Sequence, residues 1–261
     1  TALAVLIGAW ILISALLCMG ALKGASISWW ACIHAFTLGA LTTAVIGYST
    51  HFTAALTRGP LQALWPLAVK IALLQGALIV MLLRPAWTTV HTMAACLIAA
   101  VMLWHATTLA RMHRKAFANH LATTSWSYVI AALLLALAIG FAIAAQFVDR
   151  HDPLIAAHAR SAVWGFGWIT LVGTVITFLP TVAGVPMVSR FQHARIFAAY
   201  GVLVVGASAC IAAGWSRTGG VFLAGAAVVS AWVLFPTITQ VIRADASLNA
   251  CLLYTSDAAD E

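Results

Sequence analysis

Charge is what this chain lacks. Only 13 Lys and Arg and 6 Asp and Glu occur among its 261 residues, 7% in all, where an ordinary soluble domain carries about 25%. So few charges cannot cover the surface of a water-soluble protein of this size, which excludes a soluble enzyme. Disorder is excluded as well, because 64% of the residues are hydrophobic and disordered chains are poor in apolar residues. The net charge of +7 reflects a shortage of acids rather than a basic cluster. The longest basic group, Arg111-Met112-His113-Arg114-Lys115, reads as a loop flanking a membrane. No nucleic-acid partner is expected. Cysteine is sparse too. Cys18, Cys32, Cys96 and Cys210 stand singly in apolar stretches without any Cys-x-x-Cys spacing, as small buried hydrophobes do.

What fills the chain instead is long apolar runs. Breaks at Lys23-Gly24, Arg58-Gly59-Pro60, Arg84-Pro85, 111–123, Asp149–Pro153, Val185–His193 and Ser216–Gly220 divide it into eight spans. These are 2–22, 29–57, 61–83, 87–110, 124–148, 156–182, 194–214 and 219–242, each near the roughly 20 residues a helix needs to cross a bilayer. The runs are continuous and lack the alternation of an outer-membrane barrel. The expected fold is all-α, a polytopic membrane helix bundle of about eight transmembrane helices with the lipid bilayer as its partner.

The 111–123 loop, taken as cytoplasmic, groups Arg58, Arg111, Arg114, Lys115, Arg190, Arg195 and Arg243 on one side, against Lys23, Arg84, Arg150 and Arg217 on the other. This places both ends inside. The last eleven residues, from Cys251 to Glu261, hold three of the six acids and read as the translation of a sequencing adapter. Residues 1–250 are therefore taken as the transmembrane domain and 251–261 set aside as a non-native tail. Because Thr1 lies within an apolar run, both ends read as cut.

Nine histidines are many for so uncharged a chain. Five fall inside spans: His34 and His51 in the second, His91 and His105 in the fourth, His158 in the sixth. Those three spans run the same way, so His34, His91 and His158 share an outer level and His51 and His105 an inner one. His91 and His105 are 14 residues apart, which puts them about 40° from a common line and about 21 Å apart along the helix. His34 and His51, 17 apart, differ by about 100° and do not share a face. Polar side chains in a bilayer are costly and mark function, and imidazole suits both haem iron and copper. Each histidine has an alternative role, bonding a backbone carbonyl or a hydroxyl between helices. His113, His120, His151 and His193 fall in loops, at headgroup level or in water.

Lys70 in the third span is expected to snorkel toward the inner face. Arg160 lies near the outer start of the sixth, where it can reach outward or pair with an anion such as a haem propionate. No Asp or Glu lies in a span, which disfavours a carboxylate-based pump. The tryptophans, among them Trp29, Trp30, Trp87, Trp126 and Trp215, gather near helix ends as an aromatic belt.

Two stretches carry a family resemblance. In the second span, His34, Gly39, His51 and Phe52 match a pattern H-x-x-x-L-G…H-F-x-x-A-L. In the sixth, His158, Gly165, Thr170, Gly173, Thr174, Pro180 and Thr181 match a pattern H-A-H…G…T-x-x-G-T…P-T. Together they resemble the membrane region that precedes the cupredoxin domains of bacterial membrane-bound multicopper oxidases and copper-containing nitrite reductases. More distantly they are similar to the haem-copper membrane proteins of nitric oxide metabolism. Arg160 stands where that pattern has its second histidine, and Ala162 where it has Asn.

The resemblance implies an electron-transfer region in a bacterial cytoplasmic (inner) membrane, crossing it many times. It would hold haem b, with copper as the other candidate, at His34, His51, His91, His105 and His158. His34, His91 and His158 would form the metal set. The partners implied are cupredoxin domains C-terminal to residue 250 and quinol. The chain itself holds no His-Cys-His copper cluster and no other catalytic constellation, so catalysis would belong to those domains. A cofactor-free anchor, and a transporter or sensor of metal or nitrogen oxide species, are the alternative readings.

Overall fold

The computed structural model describes residues 2–58, 63–83, 88–115, 125–186, 188 and 193–257, with the side chains of 193, 194 and 245–257 left aside. It is all-α, and no strand occurs among the described residues. The helices are α1 (Ala2–Leu22), α2 (Trp29–Thr57), α3 (Leu64–Leu83), α4 (Thr88–Arg114), α5 (Trp126–Ala144), α6 (His151–Val182), α7 (His193–Ala212) and α8 (Ser216–Asp257). All eight are long and apolar enough to cross a membrane, and the protein is a multi-pass membrane protein.

The helices begin and end where the backbone demands it. Ser28 caps α2 by accepting the Ala31 amide on its hydroxyl at 3.3 Å, which satisfies a donor that the first turn would leave free. Gly24 follows α1 with φ of 85°, in the left-handed region that glycine enters without strain. Arg58 ends α2 in the same region, at φ 49°. Several boundaries differ from the sequence reading: α5 ends at Ala144 rather than 148, and α8 runs from Ser216 to Asp257 rather than from 219 to 242. Helix α4 runs on through Arg114, because long basic side chains continue a turn and still reach water. Helix α6 starts at His151, since Pro153 is harmless in a first turn.

Helix α5 is central and packs on α4, α6 and α7, while α1 leans on α2 and α3 leans on α4 and α2. Helices α2 and α6 meet through side chains rather than through extensive close backbone packing. Each of these two carries one wide stretch of π-helix, at Ala35–Thr42 and Ser161–Trp168. In such turns each amide reaches back five residues, and they occur often at functional sites. Thr42 reinforces the first by donating its hydroxyl to the carbonyl of Thr37, five residues back, at 2.7 Å.

Candidate functional site

The histidines of the shared level meet. The rings of His34 and His158 lie 6.1 Å apart between centroids and are nearly parallel, at 12°. Trp30, one turn before His34, stacks on it at 4.4 Å and 19°. Trp30 also meets His91 of α4, at 5.3 Å and tilted by 42°. Four rings from three helices thus form one row: His91, Trp30, His34 and His158.

Hydrogen bonds fix the tautomers. A carbonyl can only accept, so His34 donates from Nδ1 to the Trp30 carbonyl at 2.8 Å. His158 donates from Nδ1 to the Ala138 carbonyl of α5 at 2.9 Å. His91 uses the other nitrogen, donating from Nε2 to the Met81 carbonyl of α3 at 3.0 Å. Both His34 and His158 therefore keep Nε2 as a bare lone pair, with no hydrogen bond to it among the described residues. An imidazole whose far N–H is tied to a carbonyl is the usual form of a metal-ligating histidine. Two imidazoles on opposite sides of one metal, each with its nitrogen about 2 Å away, put their ring centroids about 6 Å apart. The His34 and His158 centroids lie at that spacing, with the rings stacked face to face. Among the described residues no three or more His, Cys, Asp or Glu converge as a metal cage.

The inner level is different. His105 is fully buried, with Nε2 hydrogen-bonded to Ser49 of α2 at 2.9 Å and Nδ1 unpartnered. It shares the α2-facing side of α4 with His91, as their spacing implied. His51 is exposed, and among the described residues its ring meets that of Phe52, of its own helix, at 6.4 Å. The structure does not bring His51 and His105 together.

Lys70 corrects the snorkelling expectation. It is 1% exposed. Its ammonium donates to Thr108 at 2.8 Å and sits 5.0 Å over the Trp104 ring, both on α4. The neighbouring helix supplies an acceptor and a π face, so the chain need not reach for the surface. Arg160 is exposed and bonds only the Ala156 carbonyl of its own helix, at 3.4 Å, in keeping with outward reach. Cys96 is exposed rather than buried.

Trp29 and Trp215 are exposed, at 57% and 66%, whereas Trp30, expected in the aromatic belt, instead stacks on His34. Its four-residue spacing from His34 was the available signal, since such pairs share a helix face. His113 lies in the last turn of α4 rather than in a loop, where its Nε2 accepts from the Trp126 indole at 2.7 Å. His151 opens α6 and is exposed. His120 and Trp87, and the side chain of His193, lie outside the described residues. A small void of about 10 Å³ lies between α6, α7 and α8, lined by Ile169, Phe197, Tyr200 and Ser230 among others and by no histidine. No family model, no curated protein and no solved structure matches this chain.

Proposed function

We propose that the chain is a membrane-embedded electron-transfer and anchor region that holds a redox metal, haem b iron or copper, between His34 and His158. The carrying observation is the pair of near-parallel imidazoles 6.1 Å apart, each fixed by a carbonyl at Nδ1. Either metal, when bound, supplies one-electron chemistry, and the protein supplies position and surroundings. The Trp30 and Ala138 carbonyls hold the rings in the tautomer that offers Nε2. Trp30 covers one face of His34 and spaces it from His91. Arg160, two residues past His158 and exposed, is placed to meet an anionic group such as a propionate. His51 and His105 stand apart from this pair, so the reading carries one centre rather than two.

The sequence resemblance is what supports the further reading of a bacterial inner membrane, with copper-enzyme domains after residue 250 as partners and quinol as reductant. The test is a reduced-minus-oxidised spectrum and elemental analysis of the chain purified from membranes grown with haem precursor and copper. Wild type is expected to bind about one metal, and His34→Ala and His158→Ala each to lose it. Haem shows as b-type bands, copper as metal without them. Wild-type protein with neither would leave a cofactor-free anchor and overturn the proposal.

A further inference from the structure

The two helices that carry the histidine pair repeat one another. Gly39, Gly47 and Phe52 in α2 have the same spacing as Gly165, Gly173 and Phe178 in α6, and each partner lies 126 residues on. The wide turns obey the same offset, Ala35–Thr42 matching Ser161–Trp168, with the glycine at the same place in each. So do the helix ends, within one residue, at Thr57 and Val182.

The packing repeats as well. Helices α1 and α2, α2 and α3, α2 and α4, and α3 and α4 are neighbours. The same holds for α5 and α6, α6 and α7, α6 and α8, and α7 and α8. In each set the first helix presses on the glycine of the wide turn. A Cβ on Gly39 would meet the Trp10 ring of α1 at 2.5 Å, and one on Gly165 would meet Leu134 of α5 at 2.8 Å. Where the two sets face each other, matched residues touch: the Phe52 and Phe178 rings lie 6.0 Å apart. Like residues meet where an approximate two-fold axis passes between two copies; the symmetry is incomplete, since the extensive α4–α5 contact has no extensive α8–α1 counterpart among the described residues. Because both sets start in the same direction, that axis runs along the helices, as in parallel membrane repeats. The histidines lie beside it, two positions out of register, with His158 aligned to Cys32 and His34 to Arg160.

We propose that α1–α4 and α5–α8 are two copies of one four-helix unit, and that Gly39 and Gly165 are the positioning residues of the histidine pair near the axis between them. Each glycine lets the first helix of its unit seat against a wide turn. That seat fixes the backbone from which His34 or His158 projects. The positioning half rests on the metal reading; the duplication does not.

The experiment uses the full chain. Gly39→Ala and Gly165→Ala are each expected to lower metal affinity about tenfold or more, as loss of a supporting contact does, with helix content and monodispersity retained. Trp10→Ala is expected to restore the Gly39→Ala variant. Gly76→Ala and Gly140→Ala, where a Cβ meets nothing within 4 Å, are expected to bind as wild type. Full metal affinity in both Gly39→Ala and Gly165→Ala overturns the positioning role.

A second arm needs no metal. With the native cysteines replaced by Ala, the pairs Phe52→Cys with Phe178→Cys and His34→Cys with His158→Cys are treated in membranes with a short thiol cross-linker. Cross-linking of both supports the axis, whether or not metal is ever found. Cross-linking at 34 and 158 but not at 52 and 178 overturns the duplication. Gly39→Ala is expected to suppress the 34–158 product, and an unchanged yield again overturns the positioning role.

Discussion

Removing the Ser49 hydroxyl tests the inner level most directly. His105 is fully buried, already has Nδ1 without a partner, and holds only Ser49 through Nε2 at 2.9 Å. Ser49→Ala would leave both ring nitrogens unsatisfied where no water reaches. A buried polar group left without its partner costs about 1–3 kcal/mol, while side-chain hydrogen bonds between membrane helices average about 0.6 and reach about 1.7 kcal/mol. The two ranges overlap at about 1–2 kcal/mol, which is the expected loss. That changes the folded-to-unfolded ratio about 5- to 30-fold. His105→Phe should cost less, because the freed Ser49 hydroxyl can turn back to the Val45 carbonyl four residues earlier. The double variant should then be more stable than Ser49→Ala alone. Reversible unfolding in mixed micelles, followed by tryptophan fluorescence, gives the full double-mutant cycle. The reasoning fails if the two substitutions add without coupling, or if Ser49→Ala lies within about 0.3 kcal/mol of wild type, since distant sites add to that accuracy.

Three further outcomes follow from single contacts. Tyr200 donates to the Trp164 carbonyl inside the second wide turn at 2.7 Å; Tyr200→Phe should lower stability by about 1 kcal/mol in the same assay. Lys70→Met keeps the length of the side chain and removes a buried charge that has no acidic partner among the described residues. It should be neutral or stabilising, whereas Lys70→Glu should impair folding, as monodispersity after extraction will show. Arg58 sits at φ 49°; Arg58→Gly should raise stability by about 1 kcal/mol by relieving a left-handed residue, and an unchanged unfolding midpoint would refute this.

The spans were legible in the sequence because a bilayer sets their length and forbids charge within them. The meeting of His34, His91 and His158 was half legible. Depth follows from counting residues along parallel helices, and counting put all three at one level. Which way each ring points depends on rotation about the helix axis, and that is set by neighbours. Ideal geometry gave His91 and His105 one side because α4 is regular between them. It could not place His51, since the wide turn at 35–42 intervenes and changes the phase. Lys70 was misread for a related reason: snorkelling assumes lipid around the chain, and Trp104 and Thr108 are there instead. Trp30 was taken for a headgroup anchor because position near a helix end says nothing of what the ring touches.

The wide turns have a consequence for chain length. A turn of this kind holds one residue more than the α-turn it replaces. Losing a residue between Ala35 and Thr42 can therefore be absorbed by tightening the turn, leaving the helix on either side where it was. The same loss in the regular stretch from Thr43 to Thr57 would rotate one part of α2 by about 100° against the other. In the first place a deletion alters the spacing behind the His34 ring. In the second it would swing His34 away from His158 or Phe52 away from Phe178. Length variation among natural variants of this chain should gather in the two stretches just after the histidines and be rare in the helices that follow.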